Sequence, residues 1–164
     1  MKGRISYIVV IIGMLFIFSV QAKNELKTSG KWVYGEVLDV TTKQNKDLAI
    51  TADFDRFSST PDVLLGVSCE SNTISIIIMN ELITPKTQWT FIFTVDGKEL
   101  SQQKLKFDDK ILFKNFDHLF YQSLKDKKML LVKAFNKTKT VNMKFSLDGF
   151  KQAFMPIETH CKNK

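Results

Sequence analysis

The stretch 146–161, SLDGFKQAFMPIETHC, bears on both the fold and the compartment of this chain, because it joins an amphipathic segment to a cysteine near the end of the sequence. Its apolar side chains recur at helical spacing: Leu147, Phe150, Phe154 and Ile157. This spacing predicts a short helix that packs one apolar stripe against the domain. Ser146 is suited to cap the helix at its start, and Pro156 is expected to end or kink it.

Cysteine usage predicts how that segment is held. The sequence contains two cysteines, Cys69 and Cys161, which lie 92 residues apart. In an oxidising compartment such a pair is a candidate disulfide. A zinc site would need more Cys or His ligands at short spacing, and His160 beside Cys161 supplies two at best. We therefore predict a disulfide that fastens the C-terminal segment to the body of the domain, with no metal and no cofactor.

The first 22 residues, MKGRISYIVVIIGMLFIFSVQA, have the three parts of a secretory signal peptide. Lys2 and Arg4 form the charged start, an apolar run follows over 7–18, and the segment closes on the small residue Ala22. We predict cleavage after Ala22, with a retained membrane anchor as the alternative. The apolar run is shorter than the roughly 20 residues of a spanning helix, which favours cleavage. The mature protein is then expected to be exported, without a transmembrane segment.

Length and charge fit one exported domain. Removal of the signal leaves 142 residues, enough to bury a core without a metal or dense crosslinking. The polar residues 23–30, KNELKTSG, are predicted to be a short flexible lead-in, and residues 31–164 a single β-rich domain. Removal of the signal lowers the net charge from +7 to about +5. The remaining positive charge favours anionic partners but does not by itself indicate nucleic acid.

Alternating hydrophobicity indicates β-structure over most of this domain. Residues 89–95, WTFIFTV, alternate with a period of two, which is typical of a half-buried strand. Asp96 and Gly97 follow directly and are a strong signal for a two-residue hairpin turn. Turn-forming residues between VLLGVSC at 63–69 and TISIIIM at 73–79 predict a second hairpin.

The fold class follows from these strands and two helical segments. TISIIIM at 73–79 and MLLVKAF at 129–135 are apolar on both faces and are expected to be central strands, and Cys69 is expected to face the core. Residues 115–124, NFDHLFYQSL, have helical spacing, with Asn115 as the N-cap. We predict a mainly β fold: an antiparallel β-sandwich or curled sheet of seven or eight strands, with one short internal helix and a C-terminal helix.

The order of these segments resembles the VasI/TagO family of periplasmic proteins associated with type VI secretion. That family ends in a strand, a Leu-x-Gly-Φ helix, a turn and a cysteine. The matching residues are Phe145, Leu147, Gly149, Phe150, Ala153, Pro156 and Cys161. The segment LLGVSCESNTISIIIMNE also resembles the family's region around its other cysteine, which corresponds to Cys69. The resemblance covers most of residues 31–161 and implies a periplasmic accessory role in secretion.

No residue pattern in the sequence points to catalysis. His118 and His160 are the only histidines, and neither lies in the nucleophile-elbow context of a serine hydrolase. Both cysteines are expected to be used in the disulfide, which leaves no free thiol as a nucleophile. Asp53 and Asp55 alternate along a predicted strand and would share one of its faces. Paired carboxylates can act in acid–base catalysis or bind calcium, but a strand face exposed to solvent is the preferred interpretation. We predict that the protein is not an enzyme and has no catalytic residue.

A group of lysines near the C-terminal strands is the candidate binding site. Its members are Lys125, Lys127, Lys128, Lys133, Lys137, Lys139 and Lys144. Antiparallel pairing through the Asn-Lys-Thr turn at 136–138 would bring several of them onto one surface able to meet anionic lipid, cell-wall carboxylates or an acidic protein. Ordinary surface lysine is the competing interpretation. Trp32 and Tyr34 are candidates for either an interface or the core.

These patterns and the resemblance together favour a non-enzymatic periplasmic protein that acts by binding. The expected role is accessory to type VI secretion or to related cell-envelope machinery. The expected partner is an envelope protein or an anionic cell-wall or lipid surface, and not nucleic acid. Two alternatives stay open: an envelope inhibitor or exclusion protein carried by a mobile genetic element, and a cell-wall hydrolase.

Overall fold

The computed structural model describes most of the predicted domain. The described residues are 26–39, 43–52, 63–70, 72–107, 111–113 and 116–162. The predicted signal peptide, the carboxylates Asp53 and Asp55, and the N-cap candidate Asn115 lie outside these ranges.

Ten strands within the described residues form two antiparallel sheets. The strands are β1 (Lys27–Ser29), β2 (Trp32–Asp39), β3 (Gln44–Ala52), β4 (Val63–Glu70), β5 (Thr73–Asn80), β6 (Gln88–Val95), β7 (Lys98–Lys106), β8 (Ile111–Phe113), β9 (Met129–Phe135) and β10 (Thr140–Ser146). Sheet A has the order β1-β2-β3-β4-β5-β8, and sheet B the order β10-β9-β6-β7. With helices α1 (His118–Leu124) and α2 (Phe150–Lys162), this confirms the predicted fold class.

Both predicted hairpins are present. Val95 of β6 pairs with Lys98 of β7, and the two residues between them, Asp96 and Gly97, have φ values of 46° and 83°. Positive φ at both central positions is what the favoured two-residue turn needs. In the second predicted hairpin, strands β4 and β5 are antiparallel, and Glu70 of β4 pairs with Thr73 of β5. Local turn chemistry therefore fixes these two strand pairs.

Two strands of three residues each, β1 and β8, go beyond what the sequence predicts. Strand β1 lies inside the segment 23–30 that is predicted to be a flexible lead-in, and it pairs with the first three residues of β2. A period of two cannot be recognised over so short a length. A contact between distant segments holds this edge of sheet A in place: the Lys31 N–H donates to the Asp148 carbonyl (2.9 Å), just before α2.

The core between the two sheets is dominated by aromatic rings. Trp89 and Phe93 on the inner face of β6 are fully buried. The rings of Phe113, Phe116 and Phe120 pack edge-on against Phe93, with centroids 4.9 to 5.8 Å apart. Edge-on packing places the positive edge of one ring against the negative face of another, which adds to the stabilisation from burial.

Helix α1 is capped by Asp117 and not by the predicted Asn115. The Asp117 carboxylate accepts a hydrogen bond from the Phe120 N–H (2.8 Å), which satisfies a donor that the helix itself leaves unpaired. Asn and Asp cap equally well, so local sequence does not choose between the two positions. Burial of Phe120, Tyr121 and Leu124 sets the phase of the helix and thereby selects Asp117.

Helix α2 is longer than predicted, because it continues through Pro156 and includes Cys161. The proline removes the N–H that would donate to the Gln152 carbonyl. Gln152 and Pro156 are both exposed, so that carbonyl is on the side of the helix that water can reach. The buried stripe on the opposite side, which includes Ile157, continues to Cys161 and holds the last turns in place.

The start of α2 is also later than predicted. Ser146 does not cap it; its hydroxyl accepts from the Asp148 N–H (3.2 Å) and turns the chain before the helix. The helix begins at Phe150, directly after Gly149, which has a φ of 86°. Gly149 lies against the backbone of Ser29, so contact with the β1 end of sheet A sets the position of the first turn.

The predicted disulfide joins α2 to sheet A. Cys69 of β4 is bonded to Cys161, with their Cα atoms 5.6 Å apart, and both residues are buried, as predicted for Cys69. At the other end of α2, Trp32 packs edge-on against Phe150 (5.0 Å between centroids), and its indole N–H donates to the Ser146 carbonyl (2.9 Å). Trp32 therefore belongs to the core, which decides between its two predicted roles.

Candidate functional site on the outer face of sheet B

The structure separates the members of the predicted lysine group. The Lys125 side chain is only 14% exposed, and its Nζ lies 2.7 Å from Glu158 Oε2 and 5.2 Å from the centroid of the Phe154 ring. Lys127 Nζ lies 3.8 Å from Asp96 Oδ2. Lys125 is largely buried, and both lysines lie between α1 and β9 and not on a strand of sheet B, so we leave them out of the candidate surface.

The other five predicted lysines divide by position. Lys139 donates from Nζ to a backbone carbonyl (3.0 Å) and lies with Lys137 at the β9–β10 turn. Lys128 is exposed just before β9. Lys133 of β9 and Lys144 of β10 lie on the outer face of sheet B. The structure therefore brings two of the seven predicted residues together on one face.

Glu158 of α2 explains why Lys125 is drawn inward. Its carboxylate, 13% exposed, accepts hydrogen bonds from Gln122 (2.8 Å), Lys125 (2.7 Å) and Lys162 (3.0 Å). Partial burial raises the pKa of Glu158, but the hydrogen bonds and positive charges of Lys125 and Lys162 outweigh it and lower the pKa from 4.5 to about 2. The network ties α1 to α2.

We expect Glu158→Gln to destabilise the protein at neutral pH and to have little effect at pH 2. A carboxyl with a pKa lowered by folding stabilises the folded state above its unfolded pKa, and this stabilisation is lost as the pH falls from about 4.5 towards 2. The expected decrease in the free energy of unfolding at pH 7 is about 1 to 3 kcal/mol. Urea unfolding of both proteins across this pH range measures it.

Glu81→Gln is the matched control for this prediction, because Glu81 is an exposed acid outside the network. Its effect at pH 7 should be within about 0.5 kcal/mol. A Glu158→Gln effect that stays constant from pH 7 to pH 2 would show that packing of the side chain, and not its charge, stabilises the helix pair.

Strand register defines the outer face of sheet B. Three rows run across β10, β9, β6 and β7 in that order. They are Thr140–Phe135–Thr90–Lys104, Asn142–Lys133–Ile92–Gln102 and Lys144–Leu131–Thr94–Glu99. Lys106, opposite Gln88, extends this face by one position. Side chains in these rows point away from the core, because the residues between them along each strand are the more buried ones.

Lys104 and Lys106 of β7 are functional candidates that the sequence reasoning missed. That reasoning grouped lysines by their position along the chain, and β7 reaches the other lysines only through pairing with β6. A signal was present, because the half-buried Leu105 separates the two exposed lysines. A period of two with one apolar member predicts that both lysines share the solvent face.

Positive charge dominates this surface. Its four lysines, hereafter the cationic face, are all exposed: Lys104, Lys106, Lys133 and Lys144. Glu99 is the one acidic residue in the three rows. Lys133 Nζ lies 5.7 Å from the centroid of the Phe135 ring, within range of a cation–π contact. The face therefore combines an excess of positive charge with polar side chains and one accessible aromatic ring.

A groove lies between α2 and β3. This groove of about 620 Å³ is lined by Asp47, Gln152, Met155, Pro156, Thr159 and His160. Asp47 Oδ2 lies 2.9 Å from His160 Nδ1, a pairing that the sequence reasoning missed. The Thr159 hydroxyl donates to the Met155 carbonyl (2.9 Å), so it is not presented to a ligand. The groove holds the contact between His160 and Asp47, which links α2 to β3, and its lining residues do not combine a base with a free nucleophile.

The described residues contain no group of three His, Cys, Asp or Glu side chains that could hold a metal ion. Nor does that part of the chain contain a helix long and apolar enough to cross a membrane. Fold and site define a disulfide-linked protein of two antiparallel sheets with one open cationic face. Comparison with protein-family models, with curated proteins and with solved structures finds no match to this chain. Its function is therefore inferred from its own residues.

Proposed function

We propose that this protein is a non-enzymatic, exported binding protein of the cell envelope that holds an anionic partner on the cationic face of sheet B. The observation that carries the proposal is the gathering of four exposed lysines and one acidic residue on one register-defined face. The predicted signal peptide supports export, and the disulfide is compatible with it, since disulfides persist in oxidising compartments. Both features fit the periplasm, which is the compartment that the family resemblance implies.

The charge arrangement favours a partner with several negative groups. An exposed ion pair contributes only about 0.2 to 1 kcal/mol, so one lysine cannot hold a ligand alone. Four lysines on hydrogen-bonded strands have fixed relative positions, and a partner with repeated charges engages them together. Long-range attraction also speeds association and is weakened by salt, because the Debye length is only about 8 Å at physiological ionic strength.

The leading physiological role is the one that the resemblance to the VasI/TagO family implies, an accessory role in type VI secretion or related envelope machinery. Capture of secretion components from solubilised envelope by the wild-type protein, but not by a variant without the cationic face, supports this role. Capture of conjugation or phage components instead would assign the protein to the inhibitor or exclusion class.

We expect neutralisation of the cationic face to weaken binding to envelope material at least about fourfold, because about 0.2 to 1 kcal/mol is lost for each of the four lysines. The variant carries Lys104→Gln, Lys106→Gln, Lys133→Gln and Lys144→Gln. Binding is measured by co-sedimentation with purified peptidoglycan and with vesicles containing phosphatidylglycerol, at low ionic strength. Far-UV circular dichroism checks that the variant is folded.

A second variant with the same loss of charge is the control. It carries Lys27→Gln, Lys31→Gln, Lys86→Gln and Lys128→Gln, four exposed lysines outside the face. This control should bind as the wild type does, apart from a small effect of net charge. Equal weakening of both variants, or no binding by the wild type, would refute the proposed site. Release of muropeptides from the peptidoglycan would replace the non-enzymatic proposal with hydrolysis.

A further inference from the structure

The four lysines of the cationic face lie on a diagonal across the sheet. Lys144 is on the edge strand β10 in the third row, Lys133 on β9 in the second, and Lys104 on the opposite edge strand β7 in the first. Lys106 continues the line one position beyond the first row. Glu99 occupies the corner that the diagonal avoids, on β7 in the third row.

Sheet geometry gives the length of this diagonal. Neighbouring strands are about 4.8 Å apart, and alternate residues along a strand are about 6.7 Å apart. Consecutive lysine Cα atoms along the diagonal are therefore about 7 to 12 Å apart, and Lys144 is about 25 Å from Lys106. One small anion cannot contact the whole line, whereas a chain with repeated negative charges can.

We infer that the ligand is an extended acidic polysaccharide that lies along this diagonal. The inference rests on the proposed function and names the partner class of the same site. Hydroxyl and amide side chains border the line of lysines, at Thr90, Thr140, Asn142 and Gln102. Such groups both donate and accept hydrogen bonds, as recognition of sugar hydroxyls requires. The half-buried ring of Phe135 lies beside Lys133 and offers an apolar surface to a sugar ring.

Apolar exposure favours a polysaccharide over a bilayer. Three apolar side chains lie in the rows, and Leu131 is 40% exposed while Ile92 and Phe135 are half-buried. A surface that inserts into the lipid interface presents a wide apolar face with lysines at its border. Here only Leu131 among the apolar side chains of the rows is exposed, which is too little apolar surface to enter a bilayer and suits a ligand that stays in water.

The test is the dependence of affinity on ligand length. Oligogalacturonates from the monomer to the decamer are titrated into the full chain at low ionic strength, followed by isothermal calorimetry. We expect affinity to increase with length until the oligomer spans about 25 Å and then to level off, because further sugars reach no more lysines. Vesicles containing phosphatidylglycerol and polyglutamate are tested in parallel.

Single substitutions then locate the ligand. Lys104→Gln and Lys133→Gln should each weaken binding of the decamer by about two- to fivefold and leave the monomer unaffected. Lys27→Gln removes the same charge from strand β1 and should leave both ligands unaffected. Thr90→Val keeps the charge and the β-branched shape but removes the hydroxyl. It should weaken binding of the decamer if sugar hydroxyls are hydrogen-bonded at this position.

The outcomes separate this inference from the proposed function. Length-dependent binding of oligogalacturonates that is lost with Lys104→Gln and Lys133→Gln supports both. If vesicles or polyglutamate bind and the oligosaccharides do not, the assignment of a polysaccharide ligand is overturned, while the cationic face is still a binding site. An affinity that does not change with oligomer length overturns the inference that one extended ligand lies along the diagonal of lysines. Absence of binding to all three probes overturns both proposals.

Discussion

Replacement of Cys69 and Cys161 by alanine should lower the free energy of unfolding by about 4.5 kcal/mol, because the disulfide closes a loop of 92 residues in the unfolded chain. Domains of this size have free energies of unfolding of about 5 to 15 kcal/mol, so a large fraction of the stability is at stake. Urea unfolding followed by tryptophan fluorescence measures the loss, since Trp32 and Trp89 are both buried.

Chemical reduction of the wild-type protein is the matched control, because it breaks the crosslink without removing either side chain. The reduced protein and the double variant should lose similar free energy, apart from the small cavity that alanine leaves. Reduced protein that unfolds at the same urea concentration as oxidised protein would contradict the loop-entropy account. Two alkylatable thiols in the protein isolated from its native compartment would contradict both the crosslink and the export argument.

Gly149→Ala should destabilise the fold by about 3 to 5 kcal/mol, through strain in a left-handed conformation and a backbone collision. Gly149 has a φ of 86°, a backbone conformation that residues with a side chain rarely adopt. A Cβ atom at this position would overlap the Ser29 carbonyl. Relief of that overlap requires β1 or the first turn of α2 to move. Movement of the helix would disturb the edge-on contact between Trp32 and Phe150.

Gly97→Ala isolates the strain from the collision. Gly97 has a similar φ of 83°, but a Cβ there would meet nothing within 4 Å. Its substitution should cost about 1 kcal/mol, the penalty of the left-handed conformation alone. The difference between the two variants, measured by thermal or urea unfolding, is the contribution of the Ser29 contact. Equal effects of both substitutions would show that the Ser29 contact is accommodated without cost.

The role of Gly149 gives a physical meaning to the Leu-x-Gly-Φ motif on which the family resemblance is based. Leu147 and Phe150 are buried, and Gly149 lets the chain pass against Ser29. Cys161 then closes the far end of the same helix onto sheet A. These residues position α2, and the proposed binding site lies on sheet B. In this chain the motif therefore has a structural role, separate from the proposed binding site.

The candidate site was predictable only in part, and the β6–β7 hairpin shows why. Counting back from the Asp-Gly turn without interruption would pair Lys104 with the buried Trp89 and direct the lysine into the core. A register shift between Phe93 and Thr94 leaves Leu100 without a directly opposite residue, and Lys104 then pairs with Thr90. Such a bulge reverses which face every later side chain takes.

Features that depend on local chemistry or on counting could be predicted from the amino-acid sequence. Turn residues and alternating hydrophobicity specify the hairpins, because φ preferences and side-chain period are properties of a few neighbouring residues. Two cysteines allow a single pairing within the chain. The start of α2, its continuation past Pro156 and the set of lysines that share a face could be read only from the folded chain. These features depend on contacts between segments distant in sequence, such as Gly149 with Ser29 and β7 with β6, which no local pattern records.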